Sequence, residues 1–255
     1  MRRVPRPPLS ELRVRLSRQL RNLPPGRRLR LRLAVDVVEE LVGDRDDVRL
    51  LDAGSEEGLL CLELARRHPR WTLVGVDISH RPLVRGSAWS REEHLGVSYV
   101  QADLQRPLGE ELYDVVASLE SLVEVPDDRE AMRSIVAALK VGGLVVAQVP
   151  THDWTPVLSG AERTWRREAR HGYDRADLVS MFEGLGLDVL EVRPTFRRTT
   201  ALAQDVRDRL KHRGRVVRLG LLPLSAAAVG LERHGLAWGP PRALFVVAVK
   251  RPSGR

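Results

Sequence analysis

Apolar runs at Val48 to Ala53, Thr72 to Asp77, Val97 to Gln101, Tyr113 to Ser118 and Leu144 to Val149 alternate with segments of helical periodicity. Runs too short for helices, separated by amphipathic segments, are the pattern of a parallel sheet covered by helices, an α/β fold. Two further runs, Leu187 to Pro194 and Ala243 to Lys250, bring the expected strands to seven. The last follows a short helix and the long connection 196–242, so it is expected to enter antiparallel near the sheet edge.

Helix ends are readable between these runs. Asp127 precedes Glu130 by three residues, a capping pattern, and Met132, Ile135, Val136 and Leu139 then recur on one helical face up to Gly142 and Gly143. Asp174 opens another helix that carries Leu178, Met181, Phe182 and Leu185 toward Gly186. Near the N-terminus, Leu9, Leu12, Leu16, Leu20 and Leu23 make one stripe with Arg13, Arg15, Arg18 and Arg21 elsewhere on the wheel, and Pro24-Pro25-Gly26 stops it. Residues 1–33 are expected to be a basic, amphipathic helical extension, and 34–255 the main α/β domain.

The sharpest chemical signal is Asp52-Ala53-Gly54-Ser55-Glu56-Glu57-Gly58, a strand ending in an acid and turning through glycine into a helix. In an open α/β sheet the ligand lies beyond the carboxyl ends of the strands, near the point where this first strand delivers its turn. Gly54 allows a tight turn, Gly58 lets the helix start pack against the strand, and the exposed N–H groups there favour an anionic group. Twenty-five residues on, the second strand ends in Asp77-Ile78-Ser79. A carboxylate there can accept both hydroxyl hydrogens of a ribose. The third strand leads into Asp103-Leu104. Three strand-end acids outline one acidic, nucleoside-shaped crevice. A nicotinamide loop would need Gly at positions 56 and 59, which hold Glu56 and Leu59.

With these motifs the sequence resembles the class I S-adenosylmethionine-dependent methyltransferases, in the broad small-molecule group that includes quinone and lipid methyltransferases. The resemblance runs from about Val48 to Val149 and more loosely from Asp174 to Pro194. It rests on Leu51-Asp52-Ala53-Gly54, Val76-Asp77, Ala102-Asp103, Tyr113-Asp114-Val115-Val116-Ala117-Ser118 and Leu139-Lys140-Val141-Gly142-Gly143-Leu144. It implies a Rossmann-like, mostly parallel seven-stranded sheet with helices on both faces, and S-adenosylmethionine as cofactor. Gly54 and Gly58 would approach its methionine portion, Asp77 its ribose and Asp103 its adenine amino group. Asp52, Ser55, Glu56, Ile78, Leu104 and Ser118 complete the implied cofactor-binding set. No metal site is expected.

The chain departs from the family pattern in three places. Glu56 stands where the middle glycine of the loop is usual, Val123-Glu124 where Glu-His often follows the fourth strand, and Val141 where a proline usually precedes Gly-Gly. A carboxylate at position 56 either repels the cofactor carboxylate or points outward, so cofactor affinity turns on its direction. Methyl transfer from a sulfonium is an in-line displacement, and a base is needed only if the acceptor must lose a proton. Glu124 and His152 are the candidate catalytic residues, with Asp153, His171 and Tyr173 near the same rim. A lone histidine in a loop equally suits a plain surface position. Cys61 reads as a packed apolar residue in the first helix after the loop.

Composition refines the partners. With 43% hydrophobic and 30% charged residues the chain is globular, and its 42 Lys plus Arg against 34 Asp plus Glu give a formal charge of +8. That excess sits at the ends. Residues 1–33 carry +10, residues 193–218 carry +7 and the last 37 residues +4, which leaves −13 for the body between 34 and 192. A lone cysteine excludes an internal disulfide, and Arg13 and Arg15 interrupt any secretory apolar run, so a cytoplasmic protein is expected. The uncharged stretch from Leu219 to Leu231 is short of the roughly 20 residues needed to span a bilayer. Basic segments beside a short apolar one suit peripheral contact with an anionic membrane and equally a helical cover over the last strands; the family resemblance implies a small-molecule or lipid-linked acceptor. Nucleic acid is disfavoured: the basic N-terminal region has no aromatic before Trp71 on which bases could stack. The rival functional classes are a methyltransferase fold that has lost catalysis and serves as a binding or regulatory subunit, and an RNA methyltransferase.

Overall fold

The computed structural model describes residues 23–152, 155–158, 169–210, 213 and 220–252. The stripe from Leu9 to Leu20, together with Asp153, Lys211, Arg215 and Arg218, lies outside the described residues. The first helix, α1 (Pro25–Val42), starts at the prolines because Pro24 takes the N-cap position and Pro25 needs no N–H in the first turn. It buries Leu29, Leu33, Val37 and Leu31, Val35, Val38, two adjacent rows that make a wide apolar face.

Seven strands follow at the expected places: β1 (Arg49–Ala53), β2 (Thr72–Asp77), β3 (Val97–Gln101), β4 (Tyr113–Leu119), β5 (Leu139–Pro150), β6 (Leu187–Thr195) and β7 (Ala243–Lys250). Their order in the sheet is β3-β2-β1-β4-β5-β7-β6, and every neighbouring pair is parallel except the two that β7 makes with β5 and β6. The last strand therefore is antiparallel, as its connection allows, and lies one place inside the edge. Side chains alternate between faces. Leu50, Val115, Val146 and Phe245 pack with α1 and with α2 (Leu59–Arg67), while Leu51, Val116, Val145 and Val246 pack with α4 (Asp128–Ala138) and α5 (Arg175–Gly184). Helix α3 (His80–Glu92) links β2 to β3. Helices cover both faces of the sheet, as the strand pattern requires.

One local expectation is corrected, and two details are added. Leu139 does not extend α4; the helix stops at Ala138, and Leu139 opens β5 opposite Tyr113, where the Lys140 ammonium bonds Asp114 and draws the chain into the ladder. Asp174 is the N-cap of α5 without a side-chain capping bond, whereas Asp127 does accept from the Glu130 N–H at 2.9 Å. The long connection 196–242 contains two helices, α6 (Arg198–Leu210) and α7 (Leu222–Arg233), which pack on each other and on α1. Among the described residues no helix is long and apolar enough to cross a membrane.

One buried ion pair joins this connection to the sheet. Arg242, just before β7, grips Asp205 of α6 with two hydrogen bonds of 3.0 and 2.9 Å, and both side chains are about 5% exposed. Asp205 also accepts the N–H groups of Val157 and Leu158, so it holds α6, the chain after β5 and the start of β7 together. Removing one partner leaves an uncompensated buried charge. Arg242→Ala is expected to lower unfolding free energy by about 3–5 kcal/mol in urea titration, and the double variant with Asp205→Ala by less than the sum of the singles.

Candidate active site

The turn after β1 is the most constrained stretch of backbone. The N–H groups of Gly54 and Ser55 both donate to the Val76 carbonyl, at 2.8 and 2.9 Å, which ties the exit of β1 to the exit of β2. Gly54 (φ 81°), Glu56 (φ 50°) and Gly58 (φ 66°) all lie in the left-handed region. A Cβ at Gly54 would collide with the Ser121 side chain, and one at Gly58 would stand 2.7 Å from the Tyr99 ring. The loop therefore needs glycine at both positions for space as well as for conformation.

Glu56 tolerates that conformation, at a cost of about 1–2 kcal/mol for an ordinary residue, because both its ends are engaged. Its N–H donates to Asp77 at 2.8 Å, and its carboxylate meets the Arg27 guanidinium at 2.6 Å. Arg27 also pairs with Glu57 at 2.8 Å. The carboxylate at this unusual position thus points to α1, with its charge compensated.

Around this turn lies a cavity of about 400 Å³ at the carboxyl edge of the sheet. Asp52, Gly54, Ser55 and Glu56 line it from the first strand, Asp77, Ile78 and Ser79 from the second, and Asp103, Leu104 and Gln105 from the third. Leu119, Glu120, Ser121 and Glu124 line it from beyond β4. Gly58 supports the wall from behind, against Tyr99. Ser118 is fully buried and bonds Ser121, whose hydroxyl donates to the Ala53 carbonyl at 2.8 Å; it braces the turn. His152 is exposed and does not line the cavity, and neither does His171. The Tyr173 hydroxyl is turned inward and donates to buried Asp128 at 2.8 Å.

Burial dominates the electrostatics of the cavity floor. It pushes the Asp52 carboxyl up to about 7; Asp77 and Glu56 add to the rise, while Arg30 and Arg27 oppose it. Asp77 accepts the N–H groups of Glu56 and Ser79, one on each oxygen, at 2.8 Å. Asp103 is oriented by Gln105, whose backbone N–H donates to it at 3.0 Å. The Ser55 hydroxyl is buried and has no hydrogen-bond partner among the described residues. Burial also pushes the Cys61 thiol well above its ordinary value, in keeping with a packed position. Among the described residues no group of three or more His, Cys, Asp or Glu could hold a metal ion.

Sequence reasoning missed the cations. Arg27, Arg30 and Leu31 of α1 form the wall facing the glycine turn, and Arg30 pairs with Glu120 at 2.6 Å. Gln148 holds the other Glu120 oxygen at 2.9 Å. Arg27 and Arg30 stand one helical turn apart beside buried leucines, a usable signal, but a count of charge by segment merges them with the basic N-terminus.

The arrangement offers three carboxylates, a glycine turn and an unpaired hydroxyl to one ligand. A family described as a methyltransferase domain matches residues 26–192. The ubiquinone biosynthesis O-methyltransferase of Rickettsia bellii is 21% identical over 174 residues, covering 65% of this chain and 72% of that protein. Its counterpart in Alkalilimnicola ehrlichii is 28% identical over 164 residues, 54% of this chain and 66% of that one. Among solved structures, the Haemonchus contortus phosphoethanolamine N-methyltransferase 2 in complex with S-adenosyl-L-methionine superposes with a TM-score of 0.64 at 19% identity, over 86% of this chain and 52% of that one. The [4+2]-cyclase SpnF gives 0.61 at 21% identity, over 88% of this chain and 81% of that one. At these identities the likeness to solved structures is one of fold. The chain belongs to the methyltransferase domain family and is a class I S-adenosylmethionine-dependent small-molecule methyltransferase.

Proposed function

We propose that the cavity holds S-adenosylmethionine with Asp77 on the ribose hydroxyls, Gly54 and Ser55 along the methionine portion and Asp103 toward the adenine. The acceptor is an apolar small molecule or lipid-linked one, met at an anionic membrane surface. The observation that carries this reading is the convergence of three strand-end carboxylates and the glycine turn on one cavity of about 400 Å³. The residues suit the cofactor: the buried Ser55 hydroxyl lacks a hydrogen-bond partner among the described residues, Gly54 lines the cavity without a side chain, and the floor is acidic where a cation belongs. Relatives named for ubiquinone biosynthesis O-methylation support an oxygen acceptor on a quinone-type molecule.

When bound, the cofactor supplies a methyl group on a positively charged sulfur, ready for displacement. The protein's part is to position it and exclude water. Asp52, ionising near neutral pH, sets a negative charge against the ligand's positive groups. Arg30 and Gln148 fix Glu120 at the cavity wall, so that carboxylate orients rather than moves. Glu124 lines the cavity beyond β4 and is the carboxylate suited to take a proton from a hydroxyl acceptor. His152, exposed outside the cavity lining, is assigned to the rim and not to proton transfer.

Calorimetry with S-adenosylmethionine and S-adenosylhomocysteine tests the assignment. Micromolar binding is expected for the native chain, and Asp77→Ala should weaken it about 10- to 100-fold, the loss of charge-assisted hydrogen bonds. A folded protein that binds neither ligand at millimolar concentration, or an Asp77→Ala variant that binds like native, overturns the reading.

The raised Asp52 carboxyl makes a second prediction. Its folded value of about 7 lies above the unfolded 3.8, so the unfolded chain releases its proton first as pH rises. Stability is unaffected by this group below pH 4 and falls between about pH 4 and 7, by a total on the order of 4 kcal/mol. Cofactor-free protein should therefore melt several degrees lower at pH 7.5 than at pH 5. Asp52→Asn should flatten that decline relative to native, as followed by circular dichroism. Saturating S-adenosylmethionine should reduce it as well.

A further inference from the structure

Helix α7 is oriented against the usual rule for a surface helix. It buries Ser225, Ala228 and Val229 toward the fold and turns Leu224 and Leu231 outward, 49% and 41% exposed, with Ala227 between them at helical spacing. No charge interrupts the chain from Leu219 to Leu231. Just beyond the helix, Leu236 and Trp238 are 66% and 60% exposed. The Arg198 guanidinium stacks over the Trp238 ring, 5.5 Å from its centre. The outward surface is thus apolar, with an aromatic residue and a cation at one end, the composition of an element seated at a membrane interface.

Topology puts this surface at the working edge of the molecule. The chain leaves α7, passes Trp238 and enters β7 at Ala243, which pairs with Pro150 and Thr195 at the carboxyl ends of β5 and β6. The cavity lies along the same edge of the sheet.

Charge selects the occupant. The sequence between α6 and α7 carries Lys211, Arg213, Arg215 and Arg218 without an acid, and residues 1–22 carry seven arginines and one glutamate. The chain enters the described fold at Leu23, whose carbonyl accepts a hydrogen bond of 3.1 Å from Arg207 of α6. Two strongly basic stretches of sequence therefore join the described fold at α6 and at the residue that α6 holds. Their like charges oppose mutual pairing, and an anionic surface complements both.

We propose that the outward face of α7, with Leu236 and Trp238, docks the protein on an anionic lipid bilayer through apolar insertion, the flanking basic segments supplying the electrostatic attraction. The proposal rests on the membrane reading above and adds the surface that makes the contact.

Flotation of the full chain with vesicles tests it. Protein is expected to rise with phosphatidylcholine vesicles containing about 30% phosphatidylglycerol and to stay behind with phosphatidylcholine alone. The double variant Leu224→Asp, Leu231→Asp should lose at least fivefold of the bound fraction, and Trp238→Ala a smaller part, while melting temperature and S-adenosylmethionine binding stay native. Retention of cofactor binding in that variant separates failure of docking from failure of the cofactor assignment. Native protein that ignores anionic vesicles overturns the proposal, as does a double variant that floats like native. So does native protein that is a dimer in light scattering and becomes monomeric in the variant, since a second copy would then cover the face. Salt-sensitive retention on RNA that the same variant abolishes also overturns it.

Discussion

The structure depends on a single shared acceptor. Both N–H groups that leave β1, on Gly54 and Ser55, converge on the Val76 carbonyl, and this forces the chain into a left-handed turn against Ser121 and Tyr99. The exits of β1, β2 and β4 are thereby held within contact distance, so the acids that end the strands face one space. A turn with a larger residue at Gly54 would push Ser121 away and, with it, the bond from its hydroxyl to the Ala53 carbonyl.

That closeness has an electrostatic cost, because Asp52, Asp77 and Glu56 repel one another over a poorly hydrated floor. Part of the compensation comes from outside the motif. Helix α1 brings Arg27 to Glu56 and Glu57 and Arg30 to Glu120, so the basic N-terminal region and the acidic body are not separate electrostatic units. The departure at position 56 follows the same logic: the carboxylate that replaces a small residue is drawn toward Arg27. The outward apolar face of α7 and the cavity lined by α1 are linked within one small domain because α1 packs against both α7 and the sheet.

Strand positions were legible because a strand buried on both faces is a short, nearly continuous apolar run, as in β4 and β7, while β3 and β6 at the sheet edges keep enough apolar residues among exposed ones to be read. The end of α4 was not. Leu139 fits the helical period, and only the pairing with Tyr113 and the pull of Asp114 on Lys140 make it the first residue of β5. The stretch 196–242 hid two helices because α7 carries its apolar residues on both sides, so periodicity gave no inner face to recognise. In the candidate site, the acids and glycines were visible as local motifs. The arginines of α1, the bond from Ser121 to the Ala53 carbonyl and the inward turn of Tyr173 depend on partners far along the chain.

By itself, then, the sequence determined the strands, the glycine turn and the three strand-end acids, because turn conformation and the apolar patterning of a strand are set by residues a few positions apart. Tertiary structure alone decided which charges those acids meet, which of the candidate catalytic groups reach the cavity, and which side of α7 is left facing outward. Those are matters of distance between residues as far as 30 to 184 positions apart, and Coulomb and packing forces act through space without regard to order along the chain.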